Sequence, residues 1–173
     1  NRPENQAREA GLLANGINRG DKHTIYEGGV RVPLIVRWDG QVEASSVNDR
    51  MLSIVDLYAT LIESVSGEVP TADEAPDSIS FAPVLRGETQ AARMPMVSSN
   101  AAGLHALRNG KWKYIDGQFP QGAPEGLKRH FKNEAEPALY DLVADPSESK
   151  NIIADHPEVV ERIQQQLDAL RVA

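Results

Sequence analysis

The sequence predicts an α+β fold in which a small antiparallel β-sheet packs against a C-terminal helix. Four short runs have the composition of strands: MVSS, LHALR, KWKYI and ALYDL. Asn109-Gly110 lies between the second and third runs, and this dipeptide is the strongest local signal for a β-hairpin. Near the end of the chain, apolar residues recur at helical spacing: Val160, Ile163, Leu167 and Leu170. Antiparallel strands covered by one helix form a small α+β layer.

Composition excludes several classes of protein. The chain has 173 residues, of which 40% are apolar and 25% are charged, so it can bury a core and is not a disordered segment. Its net charge of −7 argues against general nucleic-acid binding, which needs an excess of Lys and Arg. The absence of cysteine excludes disulfides and thiolate metal sites. No apolar run approaches the roughly 20 residues that span a bilayer, and no signal peptide is visible.

The amino-terminal part predicts a loop followed by a buried strand. Residues 1–24 are polar and punctuated by glycine, which is typical of a loop. Val30 to Trp38 are apolar and rich in β-branched residues, so we expect a buried strand there. Pro33 lies near its start, where a missing hydrogen-bond donor is tolerated, and Asp39-Gly40 ends it.

Residues 53–66 carry the clearest helical pattern. Six apolar residues form one stripe at three- and four-residue steps: Ile54, Val55, Tyr58, Leu61, Ile62 and Val65. Ser53 and Asp56 have the spacing of a capping box, and Gly67 is a suitable helix end. The next segment, EVPTADEAPDS, predicts a surface crossing, and ISFAPVLRGE predicts a short helical turn or loop.

The strand KWKYI places two aromatic residues on one side of the sheet. Trp112 and Tyr114 are two positions apart, so they face the same way. We expect them to pack against the terminal helix, with a sugar-stacking surface as the alternative. Residues 117–137 contain Gly, Pro and many charges and predict a long loop.

The order of motifs along the chain resembles the sulfatase family. GDKHTIYEGGVRVPLIVRW resembles the family segment G-x-K-x-T-x-Y-E-G-G-x-R-V-P, and SIVDLYATLIE is similar to the helix S-x-x-D-L-x-P-T-L, with Ala59 where proline is common. DSISFAPVLRG resembles D-G-x-S-x-x-P-x-L-x-G. ALRNGKWKYI, ALYDLVADPSESKNI and HPEVVERIQQQLDAL are similar to the family's carboxy-terminal subdomain, in the same order.

The resemblance implies two domains. The family belongs to the alkaline-phosphatase-like hydrolases, which have a large α/β domain and a smaller carboxy-terminal domain with an antiparallel sheet. Residues 1–66 would then be the tail of the large catalytic domain, contributing a strand and a helix. Residues 67–173 would form the carboxy-terminal α+β subdomain, and the chain as a whole would be a C-terminal fragment.

Two cofactors of the family would not be held by this chain. The family nucleophile is a formylglycine made from Cys or Ser within C/S-x-P-x-R, and no such motif occurs in the sequence. The family calcium is bound by Asp residues and by an Asp-Asn pair, and this chain has no Asp-Asn-Gly. The resemblance therefore implies calcium and formylglycine in the full-length enzyme, no metal ligand here, and an inactive fragment.

Lys22 is the family catalytic residue that maps onto this chain. A fixed ammonium can donate charge-assisted hydrogen bonds to the oxygens of a sulfate ester as negative charge develops on them. His23 adjoins Lys22 and is a weaker candidate for substrate binding, because adjacent residues of an extended segment face opposite sides.

Four residues after the lysine predict a structural support. Gly28 and Gly29 allow backbone conformations that residues with a Cβ resist. Glu27 and Arg31 are candidate ion-pair partners across this turn. We expect these residues to fix the segment between Lys22 and the following strand rather than to contact substrate.

The resemblance implies that the full-length protein hydrolyses sulfate esters. One alternative is a phosphodiesterase or phosphonate hydrolase of the same superfamily, since phosphoryl and sulfuryl groups have similar shapes. A second is a non-catalytic interaction or carbohydrate-binding module. The expected partner is a sulfate-ester substrate, with no nucleic acid and no membrane span, and the chain could self-associate through its large-domain portion. A periplasmic or secreted location follows from family habit alone.

Overall fold

The computed structural model describes residues 9–89 and 95–172. They fall into two compact units, one within Asn1–Val32 and Pro95–Ala173 and the other within Pro33–Met94. The predicted domain boundary between residues 66 and 67 comes from the family resemblance, and it stays a prediction.

A four-stranded antiparallel sheet organises the first unit. Its strands are β1 (Met96–Ser99), β2 (His105–Asn109), β3 (Trp112–Ile115) and β4 (Ala138–Asp141), in the order β1-β2-β3-β4. Helices α1 to α5 of the chain span Glu27–Val30, Asp56–Ser66, Ala82–Leu85, Glu125–His130 and Pro157–Val172. The predicted α+β fold with an antiparallel sheet and a terminal helix is confirmed.

The β2–β3 hairpin forms one residue later than the Asn-Gly signal predicts. Asn109 pairs with Trp112, so Gly110 and Lys111 occupy the centre of the turn. Gly110 has a φ of 61°, and a glycine with positive φ at the first central position is typical of a type II′ turn. Asn109 itself belongs to the ladder.

One face of the sheet packs against α5. Leu107, Tyr114 and Leu139 of the sheet contact Val159, Ile163 and Leu167 of the helix. Each fully buried aliphatic side chain contributes about 1.5–3 kcal/mol to folding. Trp112 lies partly buried at the margin of this cluster, so the expected packing of Trp112 and Tyr114 towards the terminal helix is confirmed.

The other face is covered by a segment far away in sequence. Ile25 and Tyr26 pack against six residues of the sheet unit: Leu104, Ala106, Ile115, Ala138, Tyr140 and Leu142. Ile25 is completely buried. Ile25 and Tyr26 directly follow the polar loop predicted at residues 1–24, and they fill the core on this face of the sheet.

Helix α2 is the main element of the second unit. The Asp56 carboxylate accepts a hydrogen bond from the Ser53 N–H at 2.8 Å, and Gly67 ends the helix with a φ of 78°. Its buried residues are Asp56, Ala59 and Thr60, while most of the apolar stripe is exposed: Ile54, Val55, Tyr58, Leu61 and Val65. The helix prediction is confirmed, but within the described chain the apolar side is uncovered.

Polar contacts determine which side of α2 is buried. Ser78 Oγ donates to the Val55 carbonyl and accepts the Ala59 N–H, and Asp56 Oδ1 accepts the Ile79 N–H. Thr60 Oγ1 accepts the Phe81 N–H at 2.9 Å. The segment before α3 is thereby attached to the polar side of the helix.

Two predictions of local structure are wrong. The buried strand predicted at Val30 to Trp38 is absent: Val30 ends α1, and residues 31–38 form no strand because no described segment supplies backbone partners for them. Val32 and Ile35 are 71% and 90% exposed, so this stretch is not buried either. The predicted loop at 117–137 contains α4 and a 3₁₀ turn, Lys132–Glu134. No helix among the described residues is long and apolar enough to cross a bilayer.

Candidate functional site

Lys22 lies at the tip of a tight turn formed by Asp21–Thr24. The Thr24 N–H donates to the Asp21 carbonyl at 3.0 Å. The Thr24 hydroxyl donates to the same carbonyl at 2.8 Å and accepts the Asp21 N–H at 3.2 Å. His23 has a φ of 83°, which is the requirement of the third position of a type II turn. The turn leaves the Lys22 side chain exposed.

The Lys22 side chain is exposed, and no hydrogen bond or ion pair joins its ammonium to another residue of the described chain. His23 is also exposed, and its carbonyl accepts the Ala101 N–H at 3.1 Å. The segment is a turn rather than the extended chain assumed for these two residues. An ammonium without a carboxylate partner is available to bind an anion.

Gly28 and Gly29 support this turn by close contact. A Cβ on Gly28 would lie 2.4 Å from the Gly20 carbonyl oxygen, and one on Gly29 would lie 2.3 Å from the Thr24 carbonyl oxygen. Both glycines have helical backbones rather than positive φ, so the expected reason for them is wrong. They are needed because the backbone of α1 touches the backbone of the lysine turn.

Replacing Gly29 by alanine should displace the lysine turn. The new Cβ would contact backbone atoms of Thr24 and Asp21, which cannot rotate away, and overpacking of this kind costs about 1–3 kcal/mol. Hydrogen exchange of residues 19–31 in the full-length protein should therefore become faster. Gly126→Ala is the control, because nothing lies within 4 Å of its Cβ position and the change should stabilise α4 by about 0.5–1 kcal/mol. Unchanged exchange in Gly29→Ala would contradict the contact argument.

Glu27 connects α1 to the sheet through two cations. Its Oε1 lies 3.0 Å from Lys113 Nζ and its Oε2 lies 3.0 Å from the Arg108 guanidinium. The glutamate is buried, and it forms no ion pair with Arg31, which is exposed. The predicted Glu27–Arg31 pair is wrong because Arg108 and Lys113, adjacent on β2 and β3, present both cations to the glutamate.

Lys113 is the buried centre of this network. Its side chain is 1% exposed, and Nζ also lies 2.9 Å from Glu148 Oε1. The other oxygen of Glu148 accepts the Glu27 N–H at 2.6 Å. Burial raises the pKa of the Glu148 carboxyl above its ordinary value, and the nearby Lys113 ammonium opposes that shift.

Arg19 extends the network to two tyrosines. Its guanidinium donates to the Glu148 carbonyl at 2.8 Å and to the Tyr140 hydroxyl at 3.4 Å. It also lies 3.8 Å from the centre of the Tyr26 ring, within the range of a cation–π contact. Burial raises the pKa of Tyr26 to about 12, so its hydroxyl is neutral at physiological pH.

Glu134 fixes the other end of the lysine segment. One of its oxygens, Oε2, accepts the Ile25 N–H at 2.8 Å and the Asn100 side-chain amide at 3.1 Å. The glutamate is buried, and burial raises its pKa above the ordinary value of 4.5 although both hydrogen bonds act against the shift.

Glu134→Gln should change how stability depends on pH. A carboxyl whose pKa is raised by folding adds most to the free energy of unfolding at pH values below its unfolded pKa of 4.5. This stabilisation is lost as the pH rises through the pKa of the folded state. Glutamine can accept both hydrogen bonds on one oxygen and does not titrate. Urea denaturation of the full-length proteins should therefore show the variant gaining stability relative to the wild type as the pH rises above 4.5. A pH-independent difference would contradict this assignment.

The sequence did not reveal Lys113, Arg108, Glu148 and Glu134 as supports of the lysine turn. The alternation of β3 places Lys113 on the face opposite Trp112 and Tyr114, which is a usable signal for its direction. Nothing local identifies its partners, since Glu27 and Glu148 lie 86 and 35 residues away along the chain.

The described residues do not provide a metal centre. They contain no group of three or more His, Cys, Asp or Glu side chains that could hold a metal ion. Calcium therefore does not fit the residues described in this chain.

Comparison with known proteins finds that the chain is similar to sulfatases. A family model described as N-sulphoglucosamine sulphohydrolase, C-terminal, matches residues 18–97. An N-acetylgalactosamine-6-O-sulfatase of Bacteroides thetaiotaomicron is 35% identical over 90% of this chain and 30% of its own length. Human arylsulfatase A is 30% identical over 90% of this chain and 34% of its own length.

A solved structure from work on the metabolism of multiple glycosaminoglycans by Bacteroides thetaiotaomicron has the same fold. It covers 99% of this chain at 34% identity with a TM-score of 0.81, and the match occupies 35% of that protein. The chain thus spans about a third of the length of these relatives.

Proposed function

The chain belongs to the sulfatase family, and from that premise we propose that the full-length protein hydrolyses sulfate esters, with Lys22 binding the sulfate group. The observation that carries the proposal is the Lys22 ammonium at the tip of a supported turn, where none of the described residues pairs with it. That turn lies inside the segment matched by the family model.

Lys22 would act by neutralising charge on sulfate. During hydrolysis, negative charge increases on the non-bridging oxygens and on the leaving oxygen, and an ammonium already in place donates hydrogen bonds to it without rearranging. Each charge-assisted bond contributes about 1.5–3 kcal/mol. The turn supports this role because its own hydrogen bonds and the two glycines fix the backbone of Lys22. His23 remains a candidate for contacting the rest of the substrate.

The nucleophile and the calcium would come from elsewhere in the full-length protein. The sequence contains no C/S-x-P-x-R motif, and its described residues contain no metal cluster. We therefore expect the isolated chain to show no turnover of an aryl sulfate. Its self-association through residues 32–38, whose apolar side chains are largely exposed, and a periplasmic or secreted location also stay predictions.

The proposal is tested by comparing matched esters. The full-length protein should hydrolyse an aryl sulfate, or N-acetylgalactosamine 6-sulfate, faster than the corresponding phosphate ester. A preference for phosphate monoesters, diesters or phosphonates would instead favour the alternative hydrolases of the same superfamily. One lysine attracts both anions, so only the comparison of rates separates the two functions.

A carbohydrate-binding module is less well supported. That alternative predicts a free Trp112 ring, whereas Trp112 packs at the margin of the α5 cluster. The His156 ring lies 5.0 Å away and Lys111 Nζ lies 4.3 Å above the indole. Binding of a saccharide that is lost in Trp112→Ala would revive this function.

A further inference from the structure

We infer that Lys113 and Glu27 are positioning residues for Lys22: their buried ion pair ties the lysine turn to the sheet. This inference rests on the proposed function of Lys22, and it assigns to the sheet unit a part in the reaction. Three contacts connect β3 to the tip of the turn.

The first contact joins the turn to α1. The Gly28 N–H donates to the Arg19 carbonyl at 2.7 Å, and the missing Cβ atoms of Gly28 and Gly29 allow their backbones to touch Gly20 and Thr24. The nearest atoms are backbone oxygens of the turn, with the Thr24 hydroxyl beside Gly29. A displacement of α1 is therefore passed directly to the turn.

The second contact joins α1 to the sheet. A helix of four residues cannot hold its own position, because its few internal hydrogen bonds do not offset the entropy of ordering. Glu27, its first residue, is fixed instead by Lys113 Nζ and Arg108 on the side chain and by Glu148 on the backbone N–H. The partners of the Glu27 side chain and N–H that anchor α1 to the sheet thus belong to β2, β3 and the loop after β4.

The third contact explains why a lysine is buried here. Lys113 Nζ bridges Glu27 and Glu148, so one cation joins the segment before the sheet to the loop after β4. Glu148 has a left-handed backbone with φ 50°, and Asp145 accepts the N–H groups of Ser149 and Lys150 around it. These hydrogen bonds fix the loop, so the Glu148 carboxylate is held in place beside Lys113.

A double-mutant cycle in the full-length protein tests the inference. Lys113→Met keeps the aliphatic bulk of the side chain and removes its charge, so kcat for an aryl sulfate should fall about 10- to 100-fold as the turn shifts. If Lys113 acts through Lys22, the same substitution in a Lys22→Ala background should change kcat less than about 3-fold. An equal loss in both backgrounds would overturn the positioning role.

Two controls separate positioning from general destabilisation. Lys111→Met removes a lysine two residues away whose ion pair with Asp141 is at the surface, and it should leave kcat unchanged. Ile163→Val weakens the opposite face of the sheet, and any loss it causes should be equal in both backgrounds. If Ile163→Val also lowered kcat in the wild type but not in the Lys22→Ala background, the coupling would reflect general destabilisation. The ion-pair network would then have no specific role in positioning Lys22.

A milder variant covers the case in which Lys113→Met does not fold. Arg108 pairs with the same glutamate and its side chain is 27% exposed, so Arg108→Met leaves one cation on Glu27 and costs less. Arg108→Met should lower kcat by a smaller factor than Lys113→Met does. That reduction should also be absent when Arg108→Met is made in the Lys22→Ala background. If Lys22→Ala alone left activity intact, both this inference and the proposed role of Lys22 would be wrong. A large Lys22 effect with no coupling would overturn the inference alone.

Discussion

Lys22→Ala should lower kcat of the full-length protein on an aryl sulfate about 10²- to 10³-fold, the cost of removing one preorganised donor from a developing oxyanion. Stability should hardly change, because the Lys22 side chain is exposed and has no partner among the described residues. The measurement is steady-state kinetics, with thermal unfolding recorded on the same samples.

Lys128→Ala is the matched control for this change. Lys128 lies on α4 and pairs with Glu125 at the surface, so its loss should leave kcat unaltered. Lys22→Arg should recover part of the rate, since a guanidinium also donates to sulfate oxygens but from a different distance. Full activity in Lys22→Ala would show that Lys22 takes no part in the hydrolysis.

Lys113→Met should destabilise the sheet unit by about 3–5 kcal/mol, the usual cost of removing one partner from a buried ion pair. The substitution leaves Glu27 and Glu148, which are 5% and 0% exposed, without their shared cation. Hydrogen exchange of β2 and β3 in the full-length protein should then accelerate by roughly two to four orders of magnitude.

Acidification should reduce the Lys113→Met penalty. Burial already raises the pKa of Glu148, and loss of the Lys113 ammonium removes the contribution that lowers it. The variant should therefore take up protons on folding, so its stability relative to the wild type improves as pH falls towards about 4. Lys111→Met removes an ammonium that is 48% exposed, so the change should cost no more than about 1 kcal/mol. A penalty of that small size for Lys113→Met would show that the buried network does not stabilise the unit.

Elements with a local signal are well predicted by the sequence. The four strands, the hairpin between β2 and β3, and helices α2 and α5 all follow from period and turn residues within a few positions. The fold class follows from these elements. The hairpin is offset by one residue because Gly110 alone takes positive φ.

Features that depend on distant partners are not predicted. Val32 and Ile35 have the composition of a buried strand, but a strand requires a neighbouring backbone, and none of the described residues provides one. Glu27 was assigned to nearby Arg31, whereas its partners Arg108 and Lys113 are about 80 residues further along the chain. Ion pairs of this kind depend on which strands are adjacent, and sequence spacing does not encode that.

The lysine segment shows both cases at once. The motif around Lys22 predicts that this lysine binds sulfate, which stays a prediction, while the support beneath it was assigned to glycine flexibility. The structure shows close backbone contact at Gly28 and Gly29 instead. Their backbones lack the positive φ that would have required glycine, so only the packing explains them.

The most direct test of the central claim is a crystal structure of the full-length protein with a bound sulfate ester or sulfate product. We expect Lys22 Nζ to lie within about 3 Å of a sulfate oxygen, with the Asp21–Thr24 turn still in contact with Gly28 and Gly29. A sulfate bound elsewhere, with Lys22 paired to a carboxylate of the protein, would contradict it.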